Sequence, residues 1–251
     1  MSQWLLKGLG TRVRTTRYPA QPETAAGVSP GLPSGGPGAG ELIERCPTQA
    51  LQAVDGGVAV DHRRCVHCFR CVRETAAPLA WHNGYEWSGS ATGGGTLPPL
   101  GGEFKRSIHI LVMDAGDCGA CLHEARQLNN PYYNMHRLGF FITPTPRHAD
   151  VLLVVGPGVD HLRLALEKTY RAMPTPKRVV AVGACALTGG VFAPSFVTGS
   201  GVAGIIPVDV EVPGHPPPPL AILHGLLVAV GRRPPVSLVS APDAPVREVT
   251  A

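Results

Sequence analysis

The stretch Ala149-Asp-Val-Leu-Leu-Val-Val155 decides the fold. Its five consecutive Val and Leu residues leave no polar face, so the segment fits a strand buried on both sides. After it, Leu162, Leu166, Tyr170 and Met173 recur at spacings of three and four, which predicts a helix over Asp160–Met173 with Asp160 as its cap. Arg178–Val182 is the next apolar strand. The same alternation extends outward in both directions. Upstream lie a strand at Ile108–Met113 and a helix near Leu122–Asn129; downstream lie a strand at Ile205–Val212 and an apolar helix at Leu220–Val230. Strands alternating with helices predict an α/β fold, a parallel sheet covered on both faces.

The rest of the chain divides around this region. The 251 residues include 31 Gly and 26 Pro, yet 44% are hydrophobic, so the Gly and Pro must be concentrated outside the foldable parts. Residues 1–40 read as an N-terminal extension and linker, with Pro22, Pro30, Pro33 and Pro37 among repeated Gly. Residues 41–87 form a small unit with four Cys and the aromatics Trp81, Tyr85 and Trp87. Residues 88–102 (SGSATGGGTLPPLGG) read as a second linker, 103–233 as the sheet domain and 234–251 as a tail. The net charge of +4 is accounted for by Lys7, Arg12, Arg14 and Arg17, because residues 1–20 contain no acid. A charge so confined argues against nucleic-acid binding. With Trp4, Leu5 and Leu6 beside it, this segment suits a membrane surface, a partner or a frayed end. No apolar stretch reaches the ~18 residues of a spanning helix, and no signal peptide is visible, so the chain is expected in the cytoplasm with its thiols reduced.

Seven Cys, an odd number, argue against a closed disulfide framework. Cys65-Val-His-Cys68-Phe-Arg-Cys71 has two successive two-residue gaps. Three thiolates so spaced wrap one corner of a [4Fe–4S] cluster, and Cys46, followed by Pro47, supplies the fourth. The Cys that a second ferredoxin cluster would need are absent from residues 20–45 and from the position that follows Cys71-Val-Arg-Glu, where Thr75 stands. A four-Cys zinc site is the alternative, although zinc ligands usually come in pairs.

The remaining thiols are Cys118 and Cys121 in Asp117-Cys-Gly-Ala-Cys121, and Cys185 in Gly183-Ala-Cys185. Each follows an expected strand, and ligands of open parallel sheets gather at the carboxyl ends of the strands. The strand ending at Val212 delivers Pro213-Gly-His215 to the same edge, so His215 is the natural fourth ligand. Seven Cys and one His make two sets of four. His67 and His123 adjoin ligand positions and are expected to touch ligands rather than bind metal. Flavodoxin-like sheets also bind flavin at this edge, which leaves an FMN module as a rival reading. No nucleophile–base pair or phosphate loop is evident.

Residues 107–231 resemble the small electron-transfer subunit shared by complex I (its twenty-kilodalton, B-type subunit) and the membrane-bound group 4 [NiFe] hydrogenases. The matching text is Asp117-Cys-Gly-Ala-Cys121, His148-Ala-Asp-Val-Leu-Leu-Val-Val-Gly156-Pro, Met173-Pro-Thr-Pro-Lys177, Val182-Gly-Ala-Cys185, Pro207-Val-Asp-Val and Val212-Pro-Gly-His-Pro-Pro217. Residues 1–80 resemble the ferredoxin-like subunit of the same complexes through Arg17-Tyr-Pro19, Arg45-Cys-Pro-Thr-Gln-Ala-Leu51 and Arg64-Cys-Val-His-Cys-Phe-Arg-Cys71. The resemblance implies a fusion: a flavodoxin-like parallel-sheet domain preceded by a small ferredoxin-like α+β domain, with two [4Fe–4S] clusters. It implies a large partner like the catalytic subunit of [NiFe] hydrogenase or its counterpart in complex I, the forty-nine-kilodalton subunit. Membrane subunits would be contacted indirectly, placing the chain peripherally on the inner face, with a ferredoxin, a formate dehydrogenase or a quinone as linked electron carriers. The two residues between Cys118 and Cys121 follow the hydrogenase-type members, where complex I has adjacent Cys. Glu124 falls where those members carry an acid implicated in proton movement; a plain first-turn helix acid is the other reading. Arg17 and Tyr18 read as interface or linker residues, with linker favoured. His215 stands where the family has Cys. A neutral ligand in place of a thiolate makes a cluster easier to reduce, as in Rieske centres. A scaffold subunit that keeps only the ferredoxin-type cluster is the alternative.

Overall fold

Val151–Val155 is buried at every position and lies within a six-stranded sheet. The computed structural model describes residues 3–11, 13–23, 30–37, 40–73, 79–93, 95–100, 107–192 and 194–240. Arg12 of the basic segment, residues 24–29 of the first expected linker, 74–78 of the small unit, 101–106 at the start of the sheet domain and 241–251 of the tail lie outside the described residues.

In chain order the elements begin with α1 (Gln3–Thr11), β1 (Gly31–Pro33), α2 (Glu41–Arg45), β2 (Leu51–Val54), β3 (Gly57–Asp61), α3 (Arg70–Arg73) and β4 (Trp81–Asn83). They continue with β5 (Gly89–Ser90), β6 (Ile108–Asp114), α4 (Ala120–Gln127), β7 (Phe140–Ile142), β8 (Val151–Val155), α5 (Asp160–Ala172) and β9 (Arg178–Val182). The last are α6 (Ala184–Thr188), β10 (Val210–Val212), α7 (Pro219–Ala229) and β11 (Val239–Ser240).

The large sheet has the order β5-β10-β9-β8-β6-β7. From β6 to β10 all neighbours are parallel, and β5 joins β10 antiparallel at the edge. Counted along the chain, the five parallel strands stand in the order 2-1-3-4-5. That is the flavodoxin-like winding, which reverses direction between β6 and β8. Alternate side chains of β8 serve two cores. Val151, Leu153 and Val155 pack with α4 and α7, while Leu152 and Val154 pack with Leu166 of α5 and Ala186 and Leu187 of α6. The sequence could not be polar on either face, hence its unbroken apolar run.

Helix α7 is buried along its whole length, which explains why it is apolar all round. The sheet covers one side. Tyr85, Trp87, Leu32 and Tyr18 of the N-terminal half join the core that α7 belongs to. The Ser88 N–H donates to His224 Nδ1 at 3.2 Å, and its hydroxyl donates to the Ala221 carbonyl at 3.1 Å.

The N-terminal unit pairs β1 with β4 and β2 with β3, both antiparallel, over a small core of Leu42, Leu51, Val58, Val60 and Leu79.

Several expectations differ from the structure. The segment expected to link the two units contributes β5, with Ser88 and Ser90 buried. Gly89 has no room for a side chain, since an added Cβ would lie 2.4 Å from Leu238 Cγ. The start of the expected tail is held: Val236 N–H donates to Ser88 O, His62 N–H donates to Leu238 O, and β11 pairs with β3. Tyr18, read as linker, is buried edge-on against Tyr85 at 5.0 Å. Strand β10 starts at Val210 rather than Ile205. Pro207 has no N–H to give, and the Asp209 carboxylate instead accepts the Val179 N–H at 2.8 Å. Helix α5 is preceded by Val159 at its cap, and Asp160 makes no side-chain capping bond.

Candidate metal centres

The first group of thiols sits in the N-terminal unit. Cys46 ends α2 in extended conformation, and its Sγ accepts the Ala50 N–H at 3.2 Å. Cys65 follows the turn after β3, and Cys71 lies in α3. Between them His67 and Phe69 both take positive φ, +52° and +62°. Left-handed residues spaced in this way make concave backbone suited to an anionic group, as at many iron–sulfur sites. Cys46, Cys65, Cys68 and Cys71 line one recess, walled by Leu42, Leu51, Val60 and Trp81. Burial pushes the Cys65 thiol up to about 12 and Cys71 up to about 11, with further push from the neighbouring thiols of the group. The structure therefore brings all four expected residues around a common volume.

The second group sits at the carboxyl ends of β6, β9 and β10. After β6, Asp114 Oδ1 accepts the N–H groups of Gly116 and Asp117, and Asp117 Oδ2 accepts those of Gly119 and Leu122. These bonds fold the Cys118 loop into the start of α4, leaving Cys118 exposed and Cys121 buried. Cys185 lies in the first turn of α6 after β9. The His215 loop is tied to that turn, since Gly183 N–H donates to Val212 O and Ala184 N–H to Gly214 O, both at 2.8 Å. Cys185 Sγ stands 3.9 Å from His215 Nδ1. Gly183, at φ +90°, faces Cys121, and a Cβ there would lie 2.5 Å from its sulfur. Burial raises the Cys121 and Cys185 thiols; Asp117 and the neighbouring thiols push them further. Burial lowers His215, so its imidazole is neutral and able to ligate. Among the described residues no three His, Cys, Asp or Glu side chains converge tightly enough to hold a single metal ion.

The two groups face each other. His67, from the first, has its ring 5.9 Å from Trp81 and 6.2 Å from Trp87. Trp87 donates its indole N–H to the Pro213 carbonyl at 2.8 Å, two residues before His215. His67 is held down to about 4, first by burial and then by its proximity to His215. Glu124 lies on α4 beside a groove shared with His67, Trp81, Trp87 and Tyr133, and burial raises its carboxyl above the usual range. His123 lines the same groove. Sequence reasoning passed over Asp117 and Trp87. The Asp directly before Cys118 was a readable helix-start signal; Trp87 carried no signal, because its partner lies 126 positions away.

A family model described as "NADH ubiquinone oxidoreductase, 20 Kd subunit" matches residues 118–229. An uncharacterised protein of Methanocaldococcus jannaschii is 45% identical over 123 residues, which span 49% of this chain and 82% of that protein. A Pyrococcus furiosus protein named "Probable membrane-bound hydrogenase subunit mbhJ" is 42% identical over 125 residues, 50% of this chain and 75% of that protein. The chain belongs to the 20 Kd subunit family. Formate hydrogenlyase subunit 7 of Escherichia coli is 36% identical over 129 residues, and the match spans about half of each chain, 51% in both cases. The matched family region opens at Cys118 and contains Cys121, Glu124, Cys185 and His215, so the second group lies inside it. The first group lies ahead of it. Among the described residues no helix is long and apolar enough to cross a membrane.

Proposed function

We propose that this chain is an iron–sulfur electron-transfer subunit of a hydrogenase-like or complex I-like membrane-associated oxidoreductase. Cys46, Cys65, Cys68 and Cys71 hold one [4Fe–4S] cluster; Cys118, Cys121, Cys185 and His215 hold another. The carrying observation is the placement of Cys118, Cys121, Cys185 and His215 on neighbouring loops and helix starts at the ligand-binding edge of a family sheet, with Cys185 Sγ 3.9 Å from His215 Nδ1. Four thiols lining one recess and the left-handed backbone at His67 and Phe69 support a cluster in the first group. The N-terminal order β-α-β-β-α-β, with first strand on last, supports the ferredoxin-like reading. Relatives named for formate hydrogenlyase and for a membrane-bound hydrogenase support the class of complex.

When bound, the clusters supply one-electron redox chemistry. The side chains position them, exclude water and set their potentials. His215 brings no negative charge where a thiolate would, which raises the potential of the second cluster; the Asp117 carboxylate beside it acts in the opposite sense. Glu124, half-buried and with its carboxyl raised by burial, lies at the groove where a proton step would accompany electron transfer. A large catalytic subunit docks at the strand-end edge, where Val191, whose backbone contacts Cys185, is exposed together with the neighbouring Phe192. Anaerobic iron and sulfide analysis tests the reading. About eight of each per chain is expected for two such clusters, and about four would reduce the chain to a scaffold with the N-terminal cluster alone. His215→Cys is expected to lower the potential of the second cluster in an EPR titration; an unchanged titration would show that His215 is not a ligand.

A further inference from the structure

Helix α1 is unlike every other helix longer than a turn or two: it buries no residue. Trp4 is 73% and Leu9 71% exposed, with Leu5 and Leu6 also open to solvent. On a helical wheel Trp4, Leu5, Leu6 and Leu9 occupy one arc of about 200°, while Gln3, Lys7 and Thr11 occupy the opposite side. The chain after the helix is anchored. Thr15 donates to the Pro131 carbonyl at 3.0 Å, the Thr16 N–H donates to Tyr132 O at 2.8 Å, and Tyr18 is buried. The helix thus stands off the body at a fixed point, beside the end of α4, with its apolar arc uncovered.

Charge identifies what covers it. Lys7, Arg12, Arg14 and Arg17 fall within an opening segment that contains no acid, and they alone make up the excess of 22 basic over 18 acidic residues, so the rest of the chain balances to zero. Glu23, which accepts the Arg17 N–H at 2.8 Å, is the one carboxylate near the segment among the described contacts. An apolar arc with a Trp at its margin and basic residues around it fits the headgroup layer of an anionic bilayer, where the arc enters the acyl boundary and the cations meet lipid phosphates.

We propose that residues 3–17 are a membrane-surface anchor, with α1 lying in the interface of an anionic leaflet, so that this chain touches lipid directly as well as through partner subunits. This anchor does not depend on either cluster.

The test is co-flotation of the full chain, as purified, with vesicles of phosphatidylcholine alone or with phosphatidylglycerol added. Each basic side chain that reaches the headgroups is worth about fivefold in partitioning, so three give on the order of a hundredfold preference for the anionic vesicles. The preference is expected to collapse in high salt. Trp4 emission should shift to the blue on binding, a change absent in Trp4→Phe. Leu5→Glu with Leu9→Glu should abolish binding, and Lys7→Glu with Arg14→Glu should remove the preference for anionic lipid. None of these side chains is buried, so unchanged thermal unfolding and iron content are expected in every variant. Equal binding to both vesicle types, no binding, or variants that bind like the parent would each overturn the anchor. So would protection of α1 by a partner subunit in the isolated complex with no loss of vesicle binding on substitution.

Discussion

At the scale of single residues, the thiols explain how the sites behave without metal. Cys65 and Cys71 are raised to about 12 and about 11 from an ordinary value of 9.0, because burial disfavours their thiolates. A raised folded value means the stability is complete below about pH 9 and is lost as pH climbs toward 11 and 12, since the unfolded chain deprotonates first. The metal-free protein is therefore expected to lose thermal stability steeply above pH 9 in scanning calorimetry, and the iron-loaded protein to lose much less. Gly183 is a second residue-scale control. Its φ of +90° and the 2.5 Å approach to Cys121 Sγ leave no place for a side chain. Gly183→Ala is expected to displace Cys121, costing about 1–3 kcal/mol and reducing iron from about eight to about four per chain with the N-terminal EPR signal retained. All eight proposed ligand residues were legible in the sequence, because thiol spacing and strand ends are local signals. The roles of Asp117 and Trp87 were not: these residues act on the sites through hydrogen bonds and charge that no spacing rule reports.

At the scale of elements, the strands that the chain advertises are those buried on both faces. Residues 151–155 and 178–182 can be nothing else in water, and the structure has them where the apolar runs stand. Strands β5 and β7 escaped. Gly89-Ser90 has linker composition, and Phe140–Ile142 is only three residues long, too short for a period to show. What makes β5 a strand is packing from distant residues, Leu238 over Gly89 and His224 against Ser88. The same joint contains Trp87, whose indole N–H satisfies the buried Pro213 carbonyl at 2.8 Å. Trp87→Phe keeps most of the ring and removes that donor, so a loss of about 1–3 kcal/mol is expected in denaturant unfolding. Because Pro213 leads into the His215 loop, the EPR signal of the second cluster should broaden while that of the first stays sharp.

At the scale of the whole molecule, the two units are joined more closely than two domains on a linker. Segment 85–90 belongs to the sheet domain's packing, and residues 236–240 return to the N-terminal unit. Ending the chain after Pro235 removes β11 and the Leu238 carbonyl that accepts the His62 N–H at 2.9 Å. Amide exchange in β3 is then expected to quicken about tenfold, with β8 unchanged. That returning strand also fixes an order of events during synthesis. Val60 and Ser240 sit opposite each other in the ladder although most of the chain's length separates them. A ribosome adds only about 5–20 residues each second, so the edge of the first unit's sheet stays open for on the order of ten seconds or more after Val60 is made. The flavodoxin-like sheet between them can assemble in that interval. The portion translated early is thus among the last to be completed.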